Sequence, residues 1–264
     1  MTKDIFKASF EATFSEFFAL ISAENGDWTV KGFIDLYKNI YTISIDTKVV
    51  SKIIELMIFP VIVKFAQEND YELILSAHQN HYPDLTFVHK RTHKKIAVDL
   101  KSTYRINKDK VNGMTLGAFT GYFRNRNSHK NITFPYSEYD KHYILGVLYA
   151  PSEVEIDEKV RYSLDDLPKI ASVVKDFDFF LQEKWKIAID RPGSGNTKNI
   201  GSSTNIAALK NGAGIFTKYE NGKQIFDDFW MNYLTIDMAR AIDLEKPHYH
   251  NLKSYFTYKG IVHE

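Results

Sequence analysis

The chain has 264 residues, 44% hydrophobic and 25% charged, enough for one large core or two small ones and the balance of an ordinary globular protein. A formal net charge of +1 gives no global attraction to nucleic acid, so any phosphate-binding surface has to be local, as in KRTHKK at 90–95 and YFRNRNSHKN at 122–131. The absence of cysteine excludes disulfides, zinc ribbons, iron–sulfur clusters and thiol nucleophiles. The longest apolar run, LMIFPVIV, is too short to cross a bilayer, and Asp4, Glu11 and Glu16 interrupt the stretch where a signal peptide is apolar, so the expectation is a cytoplasmic protein with no membrane association.

Phe6, Phe10, Phe14, Phe17 and Ile21 recur at helical spacing and predict one amphipathic helix over 3–22, its aromatic stripe packed on a core or a partner subunit. Asp46 is a plausible N-cap for a helix over 47–69, bent at Pro60 because proline cannot donate to the Leu56 carbonyl. Strands follow at 71–77, 82–89 and 94–101, the last two joined by the polar turn KRTH into an antiparallel hairpin. Residues 110–127 suggest a loop and a short helix, and HYILGVLYA at 142–150 has the continuous apolar run of a buried central strand. Residues 176–190 predict another strand running into the loop RPGSGNTKNIGSSTN, 225–242 predict a helix, and 248–260 say little. The order of elements is that of a mixed α/β or α+β domain without internal repeats or an evident boundary.

Pro83-Asp84 opens one strand of the hairpin, and Asp99-Leu100-Lys101 closes the other. A tight hairpin brings both acids to the same end, and strand alternation puts Asp99 and Lys101 on one face with Leu100 on the other. Two adjacent carboxylates raise each other's proton affinity unless a cation sits between them, and Mg²⁺ is a hard ion that takes one or two protein carboxylates together with substrate phosphate. Such an ion polarises a phosphodiester and acidifies a bound water, while Lys101 orients the water and offsets growing negative charge. The competing reading is an edge hairpin with a surface Asp–Lys pair. Glu55, inside the apolar helix stretch IIELMIF, either lies on an exposed edge with Lys52 or aims at the ion. The pairs His78/His81 and His89/His93 fall on strands and a turn and do not make a zinc site in a chain without cysteine.

NHYPD…KKIAVDLKSTY, the preceding DTKV…ELMIFPVIVKFA, the segment FLQEKWKIA and the loop GSGNTKNIGS together resemble the EcoRV-type restriction endonucleases of the PD-(D/E)xK superfamily, over roughly residues 30–235. The resemblance implies a single restriction-endonuclease domain over 1–264. In it, about 1–45 would be largely dimerisation elements, about 46–235 the catalytic and DNA-recognition core, and 236–264 a C-terminal tail. It implies a homodimeric type II enzyme that cuts a palindrome in double-stranded DNA with Mg²⁺, leaving 5′-phosphates. The nearly intact loop points to GATATC cut bluntly at its centre. A cognate DNA methyltransferase would belong to the same restriction–modification system without forming a stable complex.

By the resemblance Asp84, Asp99 and Lys101 match the catalytic residues, Glu55 assists the metal, and the Leu100 carbonyl faces the ion. Gly193, Ser194, Gly195, Asn196, Thr197 and Asn199 belong to a loop that enters the major groove, where glycines let backbone approach base edges and asparagine can pair with adenine. Gln79 and Asn80 match a minor-groove loop, and Ser102, Thr103, Arg124 and Lys130 are candidate phosphate contacts. Ser102 and Lys198 each replace a threonine of the family pattern. A catalytically silent DNA-binding protein, or a same-core nuclease with another target, would use many of the same residues.

Overall fold

Asp46 accepts hydrogen bonds from the backbone N–H groups of Lys48 and Val49, so the long helix starts where its capping residue predicts. The computed structural model describes residues 4–78, 80–154, 157–193 and 198–261. The described elements in chain order begin with α1 (Ile5–Glu11), α2 (Phe14–Ile21), β1 (Gly32–Ile34), β2 (Ile40–Thr42), α3 (Thr47–Glu68), β3 (Tyr71–Leu75), β4 (Leu85–His89) and β5 (Lys95–Tyr104). They continue with β6 (Thr115–Ala118), β7 (Tyr139–Pro151), β8 (Arg161–Tyr162), β9 (Val174–Glu183), α4 (Lys184–Ile187), β10 (Ala188–Pro192) and β11 (Asn199–Ser202). The last are α5 (Ile206–Asn211), α6 (Gly222–Asn232), α7 (Ile236–Arg240) and α8 (Leu252–Lys259).

A five-stranded mixed sheet in the order β3-β4-β5-β7-β9 organises the molecule, with β5 and β7 parallel and the other neighbours antiparallel. The apolar run predicted as a central strand is β7. Its side chains alternate between two cores: Tyr143, Leu145, Val147 and Tyr149 face the α1–α3 side, while Ile144 and Leu148 face the side covered by α5, α6 and α8. Gly146 stands where a Cβ would lie 2.0 Å from the Phe180 ring of β9, so the strand approaches that ring only because the position has no side chain. Two small sheets, β1-β2-β8 and β10-β11-β6, flank the main one.

Three expectations change. The first helix is two, because Thr13 turns its hydroxyl and its N–H back to the Phe10 carbonyl and closes the turn there. Phe6, Phe10, Phe17 and Ile21 are buried in the chain's own core, with Phe10 4.8 Å from Phe65 and Phe6 5.3 Å from Phe87 between ring centroids, and so do not form a free face for a partner. α3 forms as the expected single helix with Pro60 inside it. Residues 176–190 are not one strand: β9 ends at Glu183, one turn of helix follows, and β10 leaves on a new course. The helix expected over 225–242 stops at Asn232 and restarts under a Thr235 cap as α7.

The C-terminal stretch is packed structure rather than a tail. Tyr249, Leu252, Tyr255 and Phe256 are buried in the core beneath α6, and the Leu252 N–H donates to Asp190 at 3.0 Å. The Tyr255 hydroxyl donates to Asp228. Burying side chains of this size stabilises the fold by roughly 1.5–3 kcal/mol each, so residues 236–261 belong with the main body.

Candidate active site

The β4–β5 hairpin pairs Leu85 with Val98, which sets Asp84 and Asp99 beside each other at one end of the sheet, as the turn predicts. The Leu100 N–H donates to Asp84 Oδ2 at 2.7 Å and fixes that carboxylate against β5. Lys101 Nζ lies 2.6 Å from Asp99 Oδ2 and 4.0 Å from Asp84 Oδ2, and it donates to the Leu100 carbonyl at 3.0 Å. Alternation along β5 then separates two spaces. Asp84, Asp99 and Lys101 line a cavity of about 600 Å³ together with Asn80, Tyr82, Tyr122, Lys130 and Asn199. Leu100 and Glu55 line a second cavity of about 620 Å³ on the far side, and Asp84 borders both.

The electrostatics follow from burial. Burial pushes the Asp84 carboxyl up, and the neighbouring Asp99 charge adds to this, to about 7. Burial would push Asp99 up as well, but the ammonium groups of Lys101 and Lys184 outweigh it and hold Asp99 below the usual carboxylate range. Lys101 is the converse: burial works against its charge, and Asp99, then Asp84, keep it protonated above the ordinary lysine value. The pair therefore holds one secure negative charge, and a second that a cation would stabilise.

The donor set suits a hard divalent ion. Two carboxylates and the Leu100 carbonyl offer only oxygen, and a divalent cation would offset both the burial and the Asp99 charge that raise Asp84. Among the described residues no three histidine, aspartate or glutamate side chains converge.

A model of the family described as "Restriction endonuclease EcoRV" matches residues 24–260. The "Type II restriction enzyme EcoRV" of Escherichia coli is 36% identical over 241 residues, covering 90% of this chain and 94% of that protein. The chain belongs to the EcoRV restriction endonuclease family. The match reaches residue 260, so the resemblance expected to fade near 235 continues through α8. This agrees with the packed C-terminus: α8 is part of the EcoRV-family body, and Leu252, Tyr255 and Phe256 at helical spacing were the sequence signal for it.

The remaining predicted residues divide by what holds them. Glu55 is paired with Lys52 at 2.8 Å on the exposed helix edge, the surface alternative foreseen for it, yet it faces the same cavity as Asp84 and Leu100. Asn80, Lys130 and Asn199 line the cavity of the acids. Gly193 donates its N–H to the Asn199 carbonyl at 3.0 Å. Gln79, Ser194, Gly195, Asn196 and Thr197 lie outside the described residues.

Ser102, Thr103 and Arg124 are not brought to the cavity. Ser102 points to the α3 side of β5 and shares a hydrogen bond with Ser51. Thr103 is on the face of Asp99 and Lys101, but the segment at Asn112 covers it, and its hydroxyl donates to the Asn112 carbonyl at 2.8 Å. Arg124 donates to the Tyr233 carbonyl and stacks over Phe119. Sequence reasoning missed Tyr122, whose ring lies 5.1 Å from Tyr82 and closes the cavity wall.

Proposed function

We propose that the protein is a Mg²⁺-dependent type II restriction endonuclease that hydrolyses both strands of a palindromic DNA site, GATATC, at its centre, leaving blunt ends with 5′-phosphates. The observation that carries this reading is the convergence of Asp84, Asp99 and Lys101 on one open cavity in a chain of the EcoRV family. Asp84, Asp99 and the Leu100 carbonyl would hold the Mg²⁺, which when bound supplies charge stabilisation for the phosphodiester and a more acidic water. Lys101, protonated and tethered between Asp99 and the Leu100 carbonyl, orients the attacking water and offsets negative charge as it grows on the phosphate. Asp99 holds that ammonium in place, and the Leu100 N–H holds Asp84. Glu55 assists from the second cavity once Lys52 releases it.

Recognition rests on the loop from Gly193 to Asn199 in the major groove and on Gln79 and Asn80 in the minor groove. The sequence GSGNT supports the same target as the family namesake, through backbone approach at the glycines and pairing of Asn196 with adenine. A palindrome is matched by a two-fold dimer. The β1–β2 turn supports this state, because Leu36 and Tyr37 are 89% and 82% exposed beside exposed Phe33 and Ile34. The site of action is the cytoplasm, with host DNA protected by a cognate methyltransferase; no helix among the described residues is long and apolar enough to cross a membrane. Digestion of phage DNA of known sequence with Mg²⁺, followed by sequencing of the ends, tests the reading. Blunt breaks confined to GATATC are expected. Breaks at another fixed sequence would refute the target, and no breaks at all would leave a DNA-binding protein.

A further inference from the structure

Lys184 opens α4, in the family-like segment FLQEKWKIA, and plays no part in the hydrolysis described above. It is 1% exposed, and its ammonium has no hydrogen-bond partner. A buried, unpaired ammonium is strongly disfavoured, and its surroundings offset that cost only in part. The partial offset comes chiefly from the active site. Nζ sits 4.1 Å from the centroid of the Tyr82 ring, and Asp99 is the leading charge that favours its protonated form.

Only a thin wall separates this ammonium from the cavity of Asp84, Asp99 and Lys101. Tyr82, Tyr122 and Gly117 form that wall, and all three line the cavity. Gly117 has φ +86°, and a Cβ there would stand 3.5 Å from Lys184 Nζ and 3.2 Å from the Tyr122 hydroxyl, so the thinnest point is a residue without a side chain. Tyr82 in turn is followed directly by Pro83-Asp84, and its hydroxyl shares a hydrogen bond with His142 Nδ1 at 2.9 Å. Other charges reach Lys184 from every side: Asp99 and Lys101 on β5, Asp227 on α6, and Arg126. On its other side a cavity of about 130 Å³ also exposes Lys223 and His142, the latter kept neutral by burial and by the surrounding cations.

We propose that Lys184 is a positioning residue of the nuclease site: its ammonium braces Tyr82 and sets a positive charge behind the Asp84–Asp99 pair, weakening divalent-cation binding while strengthening the hold on a DNA phosphate. This rests on the Mg²⁺-nuclease reading. While protonated, a positive charge in a low-dielectric wall repels one ligand of the site and attracts the other, so its removal moves the two affinities in opposite directions. Loss of packing alone would weaken both.

The test compares wild type with Lys184→Met, Lys184→Gln and Lys184→Arg. Mg²⁺ binding without DNA is measured by titration calorimetry, and KM is measured for cleavage of a supercoiled plasmid. At pH 6.5, Lys184→Met binds Mg²⁺ roughly tenfold more tightly and its KM for plasmid rises by roughly tenfold, while Lys184→Arg stays close to wild type in both. Burial pushes Lys184 down to about 7, so at pH 8.5 the ammonium is discharged and the difference in Mg²⁺ affinity between wild type and Lys184→Met closes. Lys184→Gln answers the same question if the methionine variant does not fold. Equal Mg²⁺ affinities at pH 6.5, or a parallel loss of Mg²⁺ and DNA affinity, overturn the proposal while the nuclease stands. A wild-type protein that neither binds Mg²⁺ nor cuts DNA overturns both.

Discussion

Replacing Asp84 by asparagine should stabilise the metal-free protein at alkaline pH and abolish its stabilisation by Mg²⁺. Burial and the Asp99 charge raise the Asp84 carboxyl to about 7, so the folded state holds a proton there that the unfolded chain has already released. A carboxyl raised on folding contributes stability that is complete below its unfolded value, near 4, and that is lost as pH rises through about 7. Taken without screening, the rise corresponds to about 4 kcal/mol. The Asp84 side chain is 41% exposed, however, and water screens the interaction, so about 1 kcal/mol is the realistic size. For a chain of this length that is a change of about 2–4 °C in Tm. Differential scanning calorimetry of wild type and Asp84→Asn between pH 5 and 8.5 is the assay, with and without Mg²⁺. The asparagine keeps an oxygen to accept from the Leu100 N–H, so the hairpin is not otherwise disturbed. The gap between the two proteins should be small at pH 5 and widen toward pH 8, the variant melting higher. Added Mg²⁺ should raise only the wild type at pH 8. A variant that is less stable at pH 8, or a gap that does not change with pH, would refute the reasoning.

Lys101→Met should lower kcat by about 10²–10⁴-fold, the range lost with a charge-stabilising or proton-handling group, while gel-shift binding to the cognate site persists. Glu55→Ala should cost less than Asp99→Asn in single-turnover cleavage, because Glu55 must first leave Lys52 whereas Asp99 already holds Lys101. Leu36→Glu should yield a monomer in sedimentation velocity and slow cutting of the second strand, since it places a charge among the exposed apolar side chains of the β1–β2 turn. Phe256→Ala should destabilise the fold by about 3–5 kcal/mol in urea titration, a loss that a loose C-terminal tail would not produce.

What the sequence disclosed of the site depended on how local the geometry is. Asp84, Asp99 and Lys101 were legible because a hairpin turn and a two-residue side-chain period place three charges without reference to the rest of the molecule. The same period put Leu100 on the opposite face, and the two cavities on either side of β5 bear it out. Thr103 satisfies the period too, yet it is covered, because the chain near Asn112 returns over that face and no local pattern announces a crossing. Glu55 depended on a choice between two partners that only side-chain packing makes.

Secondary structure failed for a related reason at the points where side chains compete with backbone. Thr13 breaks a helix that its aromatic spacing would continue, and Glu183, which binds both the Trp185 indole and Lys186, accompanies the single helical turn that interrupts a strand. That turn is also what carries Lys184 inward. In sequence Lys184 belongs to the family-like segment FLQEKWKIA, but its flanking Glu183 and Trp185 do not show that it is buried. Its significance comes from Tyr82, about a hundred positions earlier, and from a glycine wall that lets its charge be felt beyond it. Residues that touch the reacting atoms must carry particular chemistry at particular spacings and so leave motifs, whereas a residue that acts from behind them needs only to be buried in the right place. The electrostatic environment of Asp99 is therefore set first by Lys101, which touches it, and then by Lys184, which does not, so measurements on Lys184 also bear on the acid pair.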